Sequence, residues 1–174
     1  MIRITAEQPR DSPAIEALLD RLFGRDRWSR ASYAFRRDVP PVVQLSMVAR
    51  DRGHVVGTIR YWPIQIGPAR TPALLLGPIG VSALYQGKGV GAALMSQSLA
   101  RAVQTGHRIV VLVSDLGDYY GRFQFQPAKP FRIAMPKENP KRIWVRALVP
   151  GALDGVSGGV RPWRTATPPP AGGR

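Results

Sequence analysis

Glycine takes every second place in Gln86-Gly87-Lys88-Gly89-Val90-Gly91, and the run ends where a helical pattern of apolar residues begins. The first amide groups of a helix have no partner inside it, and the helix dipole adds positive potential at the same end. Glycines at 87, 89 and 91 remove side chains that would hold an anion away, and they permit backbone angles that other residues resist. Lys88 adds a mobile cation. Gln86, Gly87, Lys88, Gly89, Val90, Gly91 and Ala92 together have the chemistry of a pyrophosphate cradle. A nucleoside-triphosphate loop of the Walker type is excluded, because Gly89 stands where Ser or Thr must follow the lysine. The dinucleotide fingerprint is formally met by Gly87, Gly89 and Ala92, with Asp115 where a ribose-binding acid would fall. An NAD(P)-dependent oxidoreductase is therefore one reading. Against it, the turn comes halfway along the chain, and the strands before it read as antiparallel.

Other reactive groups are few. The 174 residues include no cysteine, which removes disulfides, thiol nucleophiles and thiolate metal sites together. The two histidines, His54 and His107, fall in a hairpin turn and a helix-to-strand loop without ligand-like spacing, so no metal is expected. The formal charge of +14 suits anionic ligands. Yet only Lys88, Lys129, Lys137 and Lys141 are lysines among 25 basic residues, and an Arg-, Ala-, Gly- and Pro-rich chain reflects coding composition as readily as function. The arginines from Arg21 to Arg37 are diluted by Asp20, Asp26 and Asp38, unlike a nucleic-acid stripe. No apolar run is long enough to cross a bilayer and no signal peptide opens the chain, so a cytoplasmic location is expected.

The elements that must position the cradle follow from periodicity and punctuation. Ile2–Glu7 reads as a strand. Asp11-Ser12-Pro13 caps a helix carrying Ile15, Leu18, Leu19 and Leu22, which Gly24 ends. The spacing predicts a second helix over Arg30–Arg37, stopped by Pro40-Pro41. Leu45–Arg50 and Val55–Ile66 form a hairpin around Asp51-Arg52-Gly53-His54. Leu74–Val81 is a strand whose Gly77, Pro78 and Gly80 suggest a bulge or a close approach to the backbone. A long helix then runs to Thr105, followed by a strand over Arg108–Val113, a short helix over Gly117–Phe123, and strands near Phe131–Met135 and Ile143–Leu148. The order indicates a mixed α/β fold with helices on both faces of one sheet. Residues 1–160 form one domain, and 161–174 a Pro/Gly-rich flexible tail.

Gln86, Gly89 and Gly91, preceded by the valine-ended strand Leu76–Val81, resemble the cofactor motif of the GNAT superfamily of N-acetyltransferases. A second motif of that family sets a tyrosine before a Gly-Phe pair with three residues between; Tyr120 and Phe125 match, and Gln124 departs from it. The stretch Pro150–Val160 also resembles a bacterial subgroup without an agreed substrate. The resemblance implies a mostly antiparallel sheet splayed at the fourth strand, and transfer of an acetyl group from acetyl-CoA to a primary amine by direct attack. It implies that Gln86 to Gly91 hold the pyrophosphate of CoA, that backbone groups of Ile79, Gly80 and Val81 meet the pantetheine, and that Tyr120 protonates the departing thiolate. Homodimers are common in similar proteins. A non-catalytic CoA-binding module would share the cradle.

The base that takes the amine's proton is not legible. Leu74–Gln86 contains no Asp or Glu, leaving Asp115, Asp118, Tyr61, Tyr85 and His54 as candidates. Acceptor choice is equally open. Phe23–Pro41, with Trp28, Tyr33 and Phe35 among arginines, borders the acceptor side in the resembling fold. A solvated helix face over an aromatic stripe is the favoured reading there, and an anionic acceptor the other.

Overall fold

The computed structural model describes residues 1–164. Its strands are β1 (Arg3–Ala6), β2 (Met47–Asp51), β3 (His54–Ile66), β4 (Thr71–Val81), β5 (Ile109–Val113), β6 (Gln126–Pro127), β7 (Ile133–Ala134), β8 (Ile143–Ala147) and β9 (Gly158–Pro162). The helices are α1 (Ser12–Phe23), α2 (Val90–Gln104) and α3 (Gly117–Gly121). The strands lie in the order β1-β2-β3-β4-β5-β8-β6, with β9 against both β3 and β7. Among the described residues only β4–β5 and β7–β9 pair in parallel. No helix among the described residues is long and apolar enough to cross a membrane.

The β2–β3 hairpin turns on Arg52 and Gly53, both at positive φ as a tight two-residue turn requires. β3 gives one edge first to β2 and then, from Ile64 to Ile66, to β9. β9 crosses the expected end of the domain at 160, because the chain pairs with the sheet as far as Pro162. The expected tail lies mostly outside the described residues.

α2 buries Val90, Leu94, Met95, Leu99 and Ala102 against Ile59, Tyr61, Leu74, Leu76, Val110 and Leu112 on one face of the sheet. Each large side chain removed from water there contributes about 1.5–3 kcal/mol. The opposite face carries α1, through Ile15 and Leu19 on Val48, and a second cluster joining Phe35, Ile64, Ile66, Leu75, Val111 and Val160. A Cβ at Gly80 would come within 2.7 Å of Leu22 Cδ1, so α1 packs its side chains closely over β4 at this glycine.

Two expectations change. The helix expected over Arg30–Arg37 is instead a 3-10 turn over Ala31–Arg36, separated by extended backbone at Arg30 from another 3-10 turn over Arg25–Ser29. Tyr33 and Phe35 are both buried, and residues two apart do not share a helix face. Strands β6 and β9 lack any alternating apolar pattern and escape sequence reading.

Candidate active site

β4 opens the site. Facing β3, Gly77 and Pro78 together oppose Arg60, a bulge between the pairs Ile59–Ile79 and Tyr61–Leu76. Facing β5, pairing is confined to Leu74–Val110 and Leu75–Val111. Beyond Leu75 the two parallel strands part, so the free edge of β4 from Leu76 to Val81 borders a cleft.

At the end of that edge the chain turns into α2. Gly87 and Gly89 have φ of 72° and 78°, and open space lies where their Cβ atoms would be. Gly89 is the left-handed residue before the helix, and no side chain caps it. The first bond into the helix is from the Ala93 amide to the Gly89 carbonyl, at 2.9 Å. The amides of Gly87 to Ala92 have no hydrogen-bond partner among the described residues. Gln86 secures the turn by donating its Nε2 to the Val81 carbonyl at 3.0 Å. Gly87, Lys88 and Gly89 are exposed, so these helix-start amides face solvent, and a bare first turn with room around it has the geometry to receive a phosphate.

A cavity of about 580 Å³ lies over this turn, lined by Ile79, Gly80, Val81, Gln86, Gly87, Gly89, Val90, Gly91 and Ala92. Lys88 does not line it; its Nζ sits 5.5 Å from the Tyr85 ring. A second cavity of about 510 Å³ opens on the other side of β4, toward Tyr33, Arg36, Asp115, Glu138 and Arg142. Ile79, Gly80, Val81, Gln86, Leu116 and Tyr120 border both.

Tyr120 thus stands at the boundary. α3 holds it through its amide on Leu116, and Tyr119 and Phe125 pack edge-on at 5.1 and 6.1 Å. Burial, reinforced by Tyr119 and opposed by Ser114, pushes its hydroxyl up to about 12, so it keeps its proton at neutral pH. Gln124 adopts φ 64°, the left-handed conformation a glycine would take, and the Phe125 amide still returns to the Tyr120 carbonyl. The departure from the motif therefore leaves the turn intact.

The base candidates separate. Tyr61 is fully buried and bonded to Ser98 at 2.8 Å, away from both cavities. His54 lies exposed at the β2–β3 turn and Asp118 is exposed, and neither lines a cavity. Tyr85 borders the cradle with its hydroxyl given to Asp51 at 2.9 Å. Asp115 lines the second cavity, where Arg142 Nε reaches it at 2.8 Å. Glu138, missed from the sequence, lines the same cavity with its side chain only 9% exposed. Its Oε1 accepts from Arg142 Nη1 at 2.8 Å and from the Asn139 amide at 2.9 Å. No spacing links Glu138 to the cradle; only the β8 pairing brings its loop there. Among the described residues no three metal-binding side chains gather.

Residues 4–128 match the model of the acetyltransferase (GNAT) domain. An uncharacterized N-acetyltransferase of Escherichia coli K12, YhbS, is 30% identical over 158 residues, covering 89% of this chain and 92% of the relative. The crystal structure of E. coli YhbS in complex with CoA superposes with a TM-score of 0.79 at 28% identity, covering 92% of this chain and 87% of the other. A GNAT acetyltransferase from Brucella melitensis, crystallised with acetyl-CoA, gives 0.67 at 28% identity, covering 92% and 95%.

Proposed function

Because this chain belongs to the GNAT family of acetyltransferases, we propose that acetyl-CoA lies along the free edge of β4 with its pyrophosphate on the first turn of α2, and that the acceptor amine enters by the Glu138 cavity. The activity is N-acetyl transfer with acetyl-CoA as cosubstrate, in keeping with relatives crystallised with CoA and acetyl-CoA. The NAD(P) reading is not favoured: β4 and β5 share only two parallel pairs and the strands before them are antiparallel.

The amine attacks the thioester carbonyl directly, as the family resemblance implies and in keeping with a chain that has no cysteine. The outward-facing backbone amides of Ile79 and Val81 stabilise the negative charge that develops on the carbonyl oxygen, the Gly80 amide being turned toward β3. Tyr120, protonated and at the meeting of the two cavities, gives its proton to the departing thiolate. Glu138, whose Oε2 is unbonded, takes the proton from the incoming ammonium.

The six unpartnered amides at the mouth of the β4–β5 split carry this reading. Gly89→Asp places a carboxylate in the space left for phosphate. The variant is expected to fold and to lose the rise in melting temperature that CoA gives the parent, while NAD and NADP stabilise neither. CoA stabilising G89D as well as the parent would overturn the placement.

A further inference from the structure

Three arginines gather behind the acceptor cavity, and two have their charge answered. Arg60 is held by Glu7 at 2.6 and 2.9 Å and by Glu16 at 2.7 Å. Arg27, 1% exposed, is held by Glu16 at 2.6 Å and by Asp20 at 2.9 Å. The third, Arg36, has no carboxylate within 4.0 Å among the described residues. Its Nε and Nη1 are buried without a hydrogen-bond partner. The guanidinium lies 4.1 Å from the Tyr33 ring centre and lines the cavity that Tyr120 and Glu138 border. Gly77 leaves it room: a Cβ there would stand 3.2 Å from Arg36 Nη2.

A guanidinium with two nitrogens buried and unpaired, and no carboxylate beside it, is costly, and such groups are kept where something else completes them. Burial and the charges of Arg27 and Arg60 push Arg36 down to about 10, against the pull of Tyr33, so it stays charged at neutral pH. The cavity is also polarised. Arg30, which gives its Nη2 to the Phe23 carbonyl, lines it beside Arg36, and neither has a carboxylate partner among the described residues. Elsewhere in the lining, Asp115 and Glu138 share the single cation Arg142. The cavity therefore offers a net positive part and a net negative part, and its volume suits a small molecule.

We propose that the acceptor is a small amine bearing an oxyanion, carboxylate or phosphate, whose anionic group is received by Arg36 while its amine lies toward Asp115 and Glu138. The assignment rests on reading this cavity as the acceptor site. A planar fork of N–H donors pairs with either oxyanion through two parallel bonds.

The test compares 4-aminobutanoate, 3-aminopropylphosphonate and butylamine as acceptors for the full chain at saturating acetyl-CoA, with thiol release as readout. At least one anionic amine is expected to exceed butylamine in kcat/KM by about tenfold or more, and which of the two leads separates carboxylate from phosphate. In Arg36→Gln that preference is expected to vanish through KM for the acceptor, with KM for acetyl-CoA unchanged; Arg36→Lys is expected to restore it in part. Without ligands R36Q is expected to melt at or above the parent, since it loses an unanswered buried charge. Should no amine react, 4-aminobutanoate or 3-aminopropylphosphonate must still raise the melting temperature of the CoA-saturated parent and not of R36Q. Butylamine preferred by the parent, the anionic preference kept in R36Q, or no anion-dependent response in reaction or melting overturns the proposal. R36Q melting below the parent with its preference unchanged does so too, by making Arg36 a structural residue. Absence of any CoA stabilisation in the parent defeats the reading of the site itself, whereas CoA stabilisation without anion dependence defeats only this proposal.

Discussion

In the proposed mechanism Tyr120 and Glu138 divide the proton traffic between them, and the two are unequally readable. Tyr120 is visible in the sequence because its motif is local, spanning Tyr120 to Phe125. Glu138 is not, because its place beside Asp115 and Arg142 is made by folding alone. Arg36 is legible as one of many arginines, but its burial is not. Tyr120→Phe is expected to lower kcat by about 10²–10⁴-fold with little change in KM for acetyl-CoA, measured by thiol release. The acid form of Tyr120 persists below about 12, so between pH 6 and about 11 no falling limb of kcat/KM should arise from it. By the same thiol-release assay Glu138→Gln is expected to lower kcat by about 10²-fold or more, and Asp115→Asn much less. Gln124 illustrates a smaller effect. A non-glycine residue held at φ 64° is strained, and Gln124→Gly is expected to raise unfolding stability by about 1 kcal/mol in a denaturant titration, leaving the acetyl-CoA KM unchanged.

Elements were legible where one period or one punctuation mark dominated. β3, β4 and α2 emerge from sequence within a few residues because their apolar faces are long and unbroken. The Arg25–Arg36 segment misleads, since its apparent helical stripe is two aromatic anchors set into different surroundings: Tyr33 against Arg36 and Phe35 in the second cluster. The start of α1 is another element whose logic shows only in three dimensions. Asp11 accepts from the Gln8 amide at 2.8 Å and from Arg50 of β2, tying the helix start to the sheet. The bond from Arg50 holds the Asp11 carboxyl below its ordinary value of 3.8. A carboxyl lowered by folding adds stability above pH 3.8, and that stability is lost as pH falls through the folded value. Asp11→Asn is therefore expected to cost about 1–3 kcal/mol at pH 7 and much less near pH 3, by urea unfolding at the two pH values.

At the scale of the whole molecule, an unbroken chain of charges runs from Glu7 through Arg60, Glu16 and Arg27 to Asp20. It joins the residue after β1 to β3, α1 and the turn that follows α1, so the elements beside the second cavity are braced from the sheet's centre. Arg27, Arg60 and Arg142 are consumed in internal pairing with carboxylates, so the net +14 is carried by the other basic residues.

The boundary formed by Ile79, Gly80, Val81, Gln86, Leu116 and Tyr120 belongs to two chambers at once. Whatever fills the first becomes part of the lining of the second, so neither reactant meets a finished binding surface alone. Initial rates should then follow an intersecting, ternary-complex pattern, with desulfo-CoA competing against acetyl-CoA but not against the amine. Parallel lines in the double-reciprocal plot would mean that the partition is crossed by a covalent carrier instead.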